Sequence, residues 1–435
     1  MTSVAVIVLD TLRYDTFSNY FEWLDGLRFT NAWSTSHWTG PAHASLLTGR
    51  YPTEIGTTVK SRSLTCNSPV ITELLQKKGY NTRLISTNLQ IFVWDGWDRG
   101  FDERFGPNYG KVNPSPEGVV EWQKINNKLP LGGVSKYALA AVYCFLPRYK
   151  TIRSLQEGYH LAFGYKSSLA AVSNRINKQN FETKEFLLAN IMDMHAPYYP
   201  PSNYRSVDRK IMPELEDSFI NTVESPEEIR ETYDDCGQYL SDNYRDLHSK
   251  LLSEFDYVIT LSDHGEHLGE DGLWTHSYGL RPELTHVPIN ISGEDIESKI
   301  IDKPVNLLDV HATISDLTGV DTVSQGKSLL KEDFGGERLV EYHGLSERRR
   351  EKFSDRDLGQ LYEKYDTPLD GIISSEGYAF ETHDNDIQVQ GAWSPDEAQE
   401  RLNTLKNSIE RKPIRSDNTD TSDSIKQQLE ALGYA

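Results

Sequence analysis

A few short segments carry acids, histidines and a hydroxyl of the kind that metal-assisted attack on an ester requires. In Tyr257-Val-Ile-Thr-Leu-Ser-Asp263-His264-Gly265-Glu266-His267, an aspartate and a histidine stand side by side after an apolar run. An oxygen ligand next to a nitrogen ligand suits a borderline divalent ion such as zinc or manganese, and packing alone does not ask for that pair. Trp274-Thr275-His276 follows closely, and Met192-Asp193-Met194-His195 sets another acid and histidine after another apolar run. Val6-Ile-Val-Leu-Asp10-Thr11-Leu12-Arg13 ends in a lone aspartate, which reads equally well as a helix cap. His267 is expected at the surface or behind the ligands.

The hydroxyl comes from Ser36-His37-Trp38-Thr39-Gly40-Pro41-Ala42-His43-Ala44-Ser45-Leu46-Leu47-Thr48-Gly49-Arg50. Pro41 and the small residues after it predict a helix starting near Thr39. A hydroxyl there would sit among unpaired backbone N–H groups and the positive end of the helix dipole. That place suits a nucleophile attacking an anionic ester. The plainer alternative makes Thr39 an N-cap, and local chemistry alone favours it.

The elements that must hold these residues are short apolar strands alternating with helices. Candidate strands are Val4–Leu9, Thr82–Ser86, Phe186–Ile191, Tyr257–Leu261 and Val287–Ile291. Their near-continuous apolarity predicts burial on both faces, hence an α/β layered domain with a mostly parallel central sheet flanked by helices. In such a sheet ligands bind beyond the carboxyl ends of the strands, where Asp10 and Asp263 fall. Pro69–Gly79 and Ile229–Phe255 read as helices. From about Asn108 to Asn180 no strand pattern is visible, which predicts a helical insertion. Beyond Gly336 the chain turns polar. Strands at Gly371–Ser375 and Tyr378–Thr382 flank the turn Glu376-Gly377, a helix starts at Pro395, and a linker at Ser416–Ser424 precedes a last helix. The triplet Arg348–Arg350 reads as a solvated helix face.

Composition removes other function classes. The chain has 435 residues, with 65 acidic against 45 basic side chains and a formal charge of −20. That balance argues against nucleic acid as partner, because phosphate binding needs clustered lysine and arginine. The longest apolar run, Tyr137–Leu146, is shorter than the roughly 20 residues a membrane span needs. Three cysteines at irregular spacing make neither a disulfide framework nor a cysteine zinc site. With the first strand at Val4, no secretory leader is expected, and the expected site of action is the cytoplasm.

Taken together, these residues resemble the sulfatase family of the alkaline phosphatase superfamily. Thr39-x-Pro41 followed by Leu47-Thr48-Gly49-Arg50 is similar to the family's nucleophile motif, with Thr39 in the nucleophile position. Asp10 matches the first metal-binding aspartate, and Asp263-His264-Gly265-Glu266 matches the later metal motif. His195-Ala-Pro resembles the substrate-contacting histidine segment, and His276 lies where the family has a Lys or His touching the transferred group. Val287-Pro288, Asp309-Val-His-Ala-Thr313 with Gly319, Gly326-Lys-Ser-Leu329 and Leu432-Gly-Tyr434 extend the resemblance over nearly the whole chain. There are departures. Family sulfatases carry Cys or Ser, converted to formylglycine, where this chain has Thr39, and an Arg where it has His43. Thr11 replaces a metal-binding aspartate and His264 an asparagine. These changes look more like the threonine-nucleophile phosphodiesterases and phosphoethanolamine transferases of the same superfamily.

The resemblance implies an alkaline-phosphatase-like catalytic domain over 1–335, with the insertion at about 108–180, and a small C-terminal α+β subdomain over 336–435. It implies a divalent metal held by Asp10, Thr39, Asp263 and His264, with zinc or manganese favoured over calcium or magnesium. Thr39, His195 and His276 would be catalytic, and His43, His195, His276 and Arg13 would bind substrate. Asp193, His195 and His276 form the competing set, a second metal site. The expected reaction is hydrolysis of a phosphate or sulfate ester, phosphate favoured, through a covalent threonine intermediate. The substrate would be a small molecule, a glycan or a lipid head group. The alternatives are a phosphoethanolamine- or phosphoglycerol-type transferase and a non-catalytic binding protein that keeps the fold.

Overall fold

Runs of valine, isoleucine and leucine build the centre of one eight-stranded sheet. Its strands are β1 (Val4–Leu9), β2 (Leu27–Phe29), β3 (Asn81–Ser86), β4 (Glu103–Phe105), β5 (Glu185–Ile191), β6 (Tyr257–Leu261), β7 (Ile289–Gly293) and β8 (Lys299–Ile301). They lie in the order β8-β2-β7-β6-β1-β5-β3-β4. The neighbours from β6 to β4 run parallel, while β7 is antiparallel to both β6 and β2. The sheet is mostly parallel, as expected, with β7 its antiparallel strand. The computed structural model describes residues 2–106 and 167–413, with a few isolated positions between.

Register explains why the chemistry gathers at one edge. Val8 lies beside Asn190 on one side and Leu261 on the other. The segments starting at Asp10, Asp193 and Asp263 therefore leave three adjacent parallel strands at the same level. Every residue of β1 is buried, because helices cover both faces. In α3 (Pro226–Leu252) the buried residues Ile229, Tyr233, Cys236, Leu240, Tyr244, Leu247 and Leu251 recur every three or four positions. That stripe packs with Ile7, Leu9 and Val258 of the sheet in one apolar cluster.

Contacts divide the chain into Met1–Pro107 with Ser168–Ala435, and a second unit, Asn108–Ser167. The second unit, with the apolar run at 137–146, lies almost entirely outside the described residues. Helix α2 (Ser168–Ile176), expected within the insertion, belongs instead to the larger unit and packs on β5 and β3. Its amphipathic face, Leu169, Val172 and Ile176, is buried there.

Near the C-terminus, β9 (Arg338–Tyr342), β10 (Leu369–Ser374), β11 (Gly377–Glu381) and β12 (Ile387–Gly391) form a four-stranded antiparallel sheet in chain order. The hairpin of β10 and β11 is the one the turn signal predicts. Strand β9 was hidden by its charges, which the fold neutralises: Arg338 pairs with buried Asp309 at 2.8 Å. The sheet does not own its core. Tyr51 and Leu308 pack with Leu339, Ile372 and Trp393, and Trp33 and Leu280 pack with Val340 and Tyr378. The linker at 416–424 and the terminal helix lie outside the described residues. Among those described, no helix is long and apolar enough to cross a membrane.

The basic triplet requires a correction. Arg349, on the helix Glu347–Asp355, is turned inward, with Nη1 donating to both carboxylate oxygens of Glu216 at 2.7 and 3.0 Å and Nη2 to Ser277 Oγ at 3.0 Å. Removing one partner of a buried pair strands the other charge, so Glu216→Ala is expected to cost about 3–5 kcal/mol. A urea denaturation midpoint checks this, and a change below about 1 kcal/mol would contradict it.

Candidate functional site

Helix α1 (Thr39–Thr48) begins where Pro41 placed it, but its N-cap position belongs to Trp38, whose side chain caps nothing. Thr39 is the first helical residue, and its hydroxyl lies 3.2 Å from His264 Nε2. His264 Nδ1–H donates to Gly265 O at 2.9 Å, which leaves Nε2 as the acceptor of the Thr39 hydroxyl. The hydroxyl therefore faces the acidic cluster instead of closing its own helix, and the N-cap reading of Thr39 falls.

Asp10, Asp263 and His264 each present a ligand atom, all within 4.8 Å of one another and all fully buried. Asp10 Oδ2 accepts from Asn88 Nδ2 at 2.8 Å and Asn190 Nδ2 at 3.0 Å, and Oδ1 accepts from the Thr11 hydroxyl at 2.8 Å. Burial would raise the Asp10 carboxyl, but nearby His195 and His264 and the Asn190 amide outweigh it and hold it below its usual value. Burial and the adjacent Asp10 charge push Asp263 up to about 7. Asp263 Oδ2 has no hydrogen-bond partner among the described residues.

Two carboxylates and an imidazole, one carboxylate oxygen left without a hydrogen-bond partner in a buried pocket, form an oxygen-and-nitrogen donor set that a divalent cation fits. Among the described residues this is the one such grouping of three. Asp193, weighed as ligand of a second metal with His195 and His276, does not join it. Its Oδ2 accepts from Leu169 N at 2.6 Å, at the start of α2.

The backbone carries strain at two places beside the site. Thr11 has φ 65° and Thr275 φ 68°, left-handed values that a β-branched side chain rarely adopts. Each adjoins a site residue, Asp10 and His276. The Thr11 N–H donates to Asp263 Oδ1 at 3.3 Å, tying the two carboxylate segments together. Gly265 lies under the same pressure for space, since a Cβ there would meet Glu283 O at 2.1 Å.

Four aromatic rings close around the hydroxyl side. His276 lies 4.5 Å from His264, 5.0 Å from His195 and 5.0 Å from Trp38 between ring centres. His195 Nδ1–H donates to Ala196 O at 2.6 Å, and His276 Nδ1–H to Glu266 Oε1 at 3.1 Å. Burial lowers both imidazoles, His276 well below its ordinary value, and pushes Glu266 up to about 7. His43 Nδ1–H donates to Thr39 O at 3.0 Å, with Asp263 Oδ2 3.6 Å away. That side chain braces the hydroxyl-bearing turn against the acidic cluster.

One expectation does not survive, and another is halved. The Arg13 guanidinium is occupied by Asp15, Glu270 and the Glu266 carbonyl at 2.6, 2.7 and 3.0 Å, so it is not turned to substrate. His267 is fully buried, which removes its surface alternative and leaves a place behind the ligands, and burial lowers it to about 3. Residues missed from the sequence are Asn88, Asn190 and Trp38, while Glu266 was seen only as part of the metal motif, with no role of its own. Asn190 had a visible signal, as an amide inside the apolar run of β5, where a buried polar group needs a partner. Asn88 and Trp38 sit in loop and cap positions that carry no periodic signal.

Similarity to known proteins agrees with this arrangement. The sulfatase family model matches residues 10–320. A choline-sulfatase of Rhizobium meliloti is 24% identical over 331 residues, covering 67% of this chain and 60% of the relative. A sulfatase of Formosa agariphila is 22% identical over 372 residues, covering 78% of this chain and 72% of the relative. The solved structure of a phosphonate monoester hydrolase from Silicibacter pomeroyi shares the fold with a TM-score of 0.64 at 17% identity, covering 94% of each chain. The chain thus spans about 60% of the choline-sulfatase's length, and the family model's match begins at Asp10 and runs through the cluster. By this match over most of its length, the chain belongs to the sulfatase family.

Proposed function

We propose that the protein is a metal-dependent hydrolase of phosphate or sulfate esters that uses Thr39 as nucleophile, with phosphate esters preferred. The observation carrying this reading is the Thr39 hydroxyl, at the start of a helix and 3.2 Å from His264, beside two buried carboxylates. Relatives named choline-sulfatase, sulfatase and phosphonate monoester hydrolase support an anionic ester as substrate.

Asp10, Asp263, His264 and the Thr39 oxygen would hold the ion, and two carboxylates with an imidazole favour zinc or manganese. A bound divalent cation supplies positive charge that favours the alkoxide form of a neighbouring hydroxyl and the anionic oxygens of the substrate. Thr39 Oγ1 attacks phosphorus or sulfur, its bond to that atom forms, and the bond to the leaving oxygen breaks. The hydroxyl proton passes to the Nε2 lone pair of His276 or His195, and that imidazolium returns it from Nε2 to the leaving oxygen. Water then attacks the same atom, the bond to Thr39 breaks, and the threonine hydroxyl regains its proton. His43 keeps the turn carrying Thr39 in place, and Asn88 and Asn190 keep Asp10 aimed.

The test is hydrolysis of aryl phosphate monoesters, diesters and sulfate esters by the purified chain loaded with zinc, manganese, calcium or magnesium. Turnover that disappears with a chelator and returns with zinc or manganese is expected, with one equivalent of metal bound. No turnover on any ester together with no bound metal would favour a binding protein that keeps the fold. His276→Ala is expected to retain the single equivalent. Loss of one of two equivalents in that variant would instead place a second ion at His195 and His276.

A further inference from the structure

Glu266 has no part in the proposed metal set, yet it is fully buried and touches the residue that faces the leaving group. Its Oε1 accepts from His276 Nδ1–H at 3.1 Å, and its Oε2 accepts from the Tyr198 hydroxyl at 2.8 Å. The backbone is pinned as firmly, with Glu266 N–H donating to Glu283 O at 3.1 Å and Arg13 Nη1 donating to Glu266 O at 3.0 Å. His276 is gripped from its other side as well, since His37 Nδ1–H donates to its carbonyl at 2.8 Å.

The consequence lies in the tautomer. An imidazole that donates from Nδ1 to a carboxylate carries its lone pair on Nε2, on the opposite edge of the ring. The ring centres of His264 and His195 lie 4.5 and 5.0 Å from that of His276, so the ring stands over the nucleophile side of the site. We infer that Glu266 is a positioning residue that fixes the orientation and tautomer of His276, so that the Nε2 lone pair takes up the nucleophile's proton and returns it to the leaving-group oxygen. Glu266 touches neither the reacting atoms nor the metal set, and acts only through His276. Tyr198 holds the carboxylate in the plane it needs, by occupying the oxygen that His276 does not use. This arrangement is the carboxylate-histidine half of a catalytic triad, in which the acid orients the imidazole and does not itself take a proton.

The inference rests on the ester-hydrolase reading only for its kinetic consequence, so its test has two independent arms. In the first, kcat and KM are measured over aryl and alkyl phosphodiesters of rising leaving-group pKa, for the metal-loaded wild type, Glu266→Gln, His276→Ala and the double variant. Glu266→Gln is expected to lower kcat on alkoxide leaving groups by about 10²-fold and to change nitrophenolate release only a few-fold, because nitrophenolate leaves without a proton. KM should stay within a few-fold, and the double variant should be no slower than His276→Ala alone. An equal loss across all leaving groups would overturn the proposal.

The second arm needs no turnover. Imidazole nitrogen-15 shifts should show His276 carrying its proton on Nδ1 in the wild type and in Tyr198→Phe, and a shifted tautomer population in Glu266→Gln. An unchanged tautomer in a folded Glu266→Gln protein would overturn the assignment. A wild type that hydrolyses no ester would sink the hydrolase reading, and the tautomer measurement would still decide whether Glu266 positions His276.

Discussion

Replacing Thr39 by alanine is expected to lower kcat for ester hydrolysis by a factor on the order of 10³ to 10⁶ while the protein stays folded. The side chain is fully buried but small, and losing its hydrogen bond to His264 costs about 1 kcal/mol. Entry into the helix does not depend on the hydroxyl, because Trp38 occupies the N-cap position. The loss is therefore chemical. Residual rate should come from the preorganised charges of the site, which still bind and polarise the ester. Single-turnover rates together with urea midpoints check the separation of rate from stability. Turnover within a few-fold of wild type would return Thr39 to a structural role. Thr39→Ser, which keeps the hydroxyl and drops a methyl group, should retain most of the rate.

The second large effect is substrate choice. Catalytic efficiency on an aryl phosphodiester is expected to exceed that on the matched aryl sulfate by roughly 10²-fold, about 2.7 kcal/mol in barrier. The reason is the number of oxygens at the nucleophile. A hydrated formylglycine is a geminal diol, so its sulfated form can expel sulfate by collapsing to the aldehyde. Thr39 has one hydroxyl and cannot do this. Its ester opens only when water attacks the central atom, a step that phosphorus accepts readily. As a ligand in the proposed site, His264, where family sulfatases carry an amide, would add a nitrogen donor and favour a softer ion. Measuring both efficiencies with the same metal and the same leaving group isolates the transferred atom. A clear preference for the sulfate would show that Thr39 releases its ester by another route.

Much of the scaffold was legible in the chain. The strands at Val4–Leu9 and Tyr257–Leu261 lie where the apolar runs put them, since fully buried parallel strands leave an unbroken apolar signature. Arg338–Tyr342 was not legible, because a strand holding an arginine and a glutamate reads as polar until Asp309 and Arg411 are seen against them. The triplet at Arg348–Arg350 failed for the same reason. Sequence shows a basic helix face, and only packing shows that Arg349 finds Glu216 in the interior.

For the site, local chemistry by itself determined the residue types: an aspartate and histidine after one buried strand, an aspartate after another, and a hydroxyl where a proline announces a helix. It could not tell Thr39 the cap from Thr39 the nucleophile, because both need the same residue at the same turn. Tertiary structure removed the cap reading by giving the N-cap position to Trp38 and placing His264, 225 residues away, within reach of the hydroxyl, which is the geometry the proposed nucleophilic role needs. It also decided which acids gather. Asp10 and Asp263 meet because β1 and β6 are parallel neighbours in register, whereas Asp193, one strand over, turns to the amide that opens α2. Glu266 shows the limit most clearly. Its charge can be read from the chain, but its use depends on the histidine and tyrosine that the folded loops bring to its two oxygens, and such distances exist only once the strands are paired.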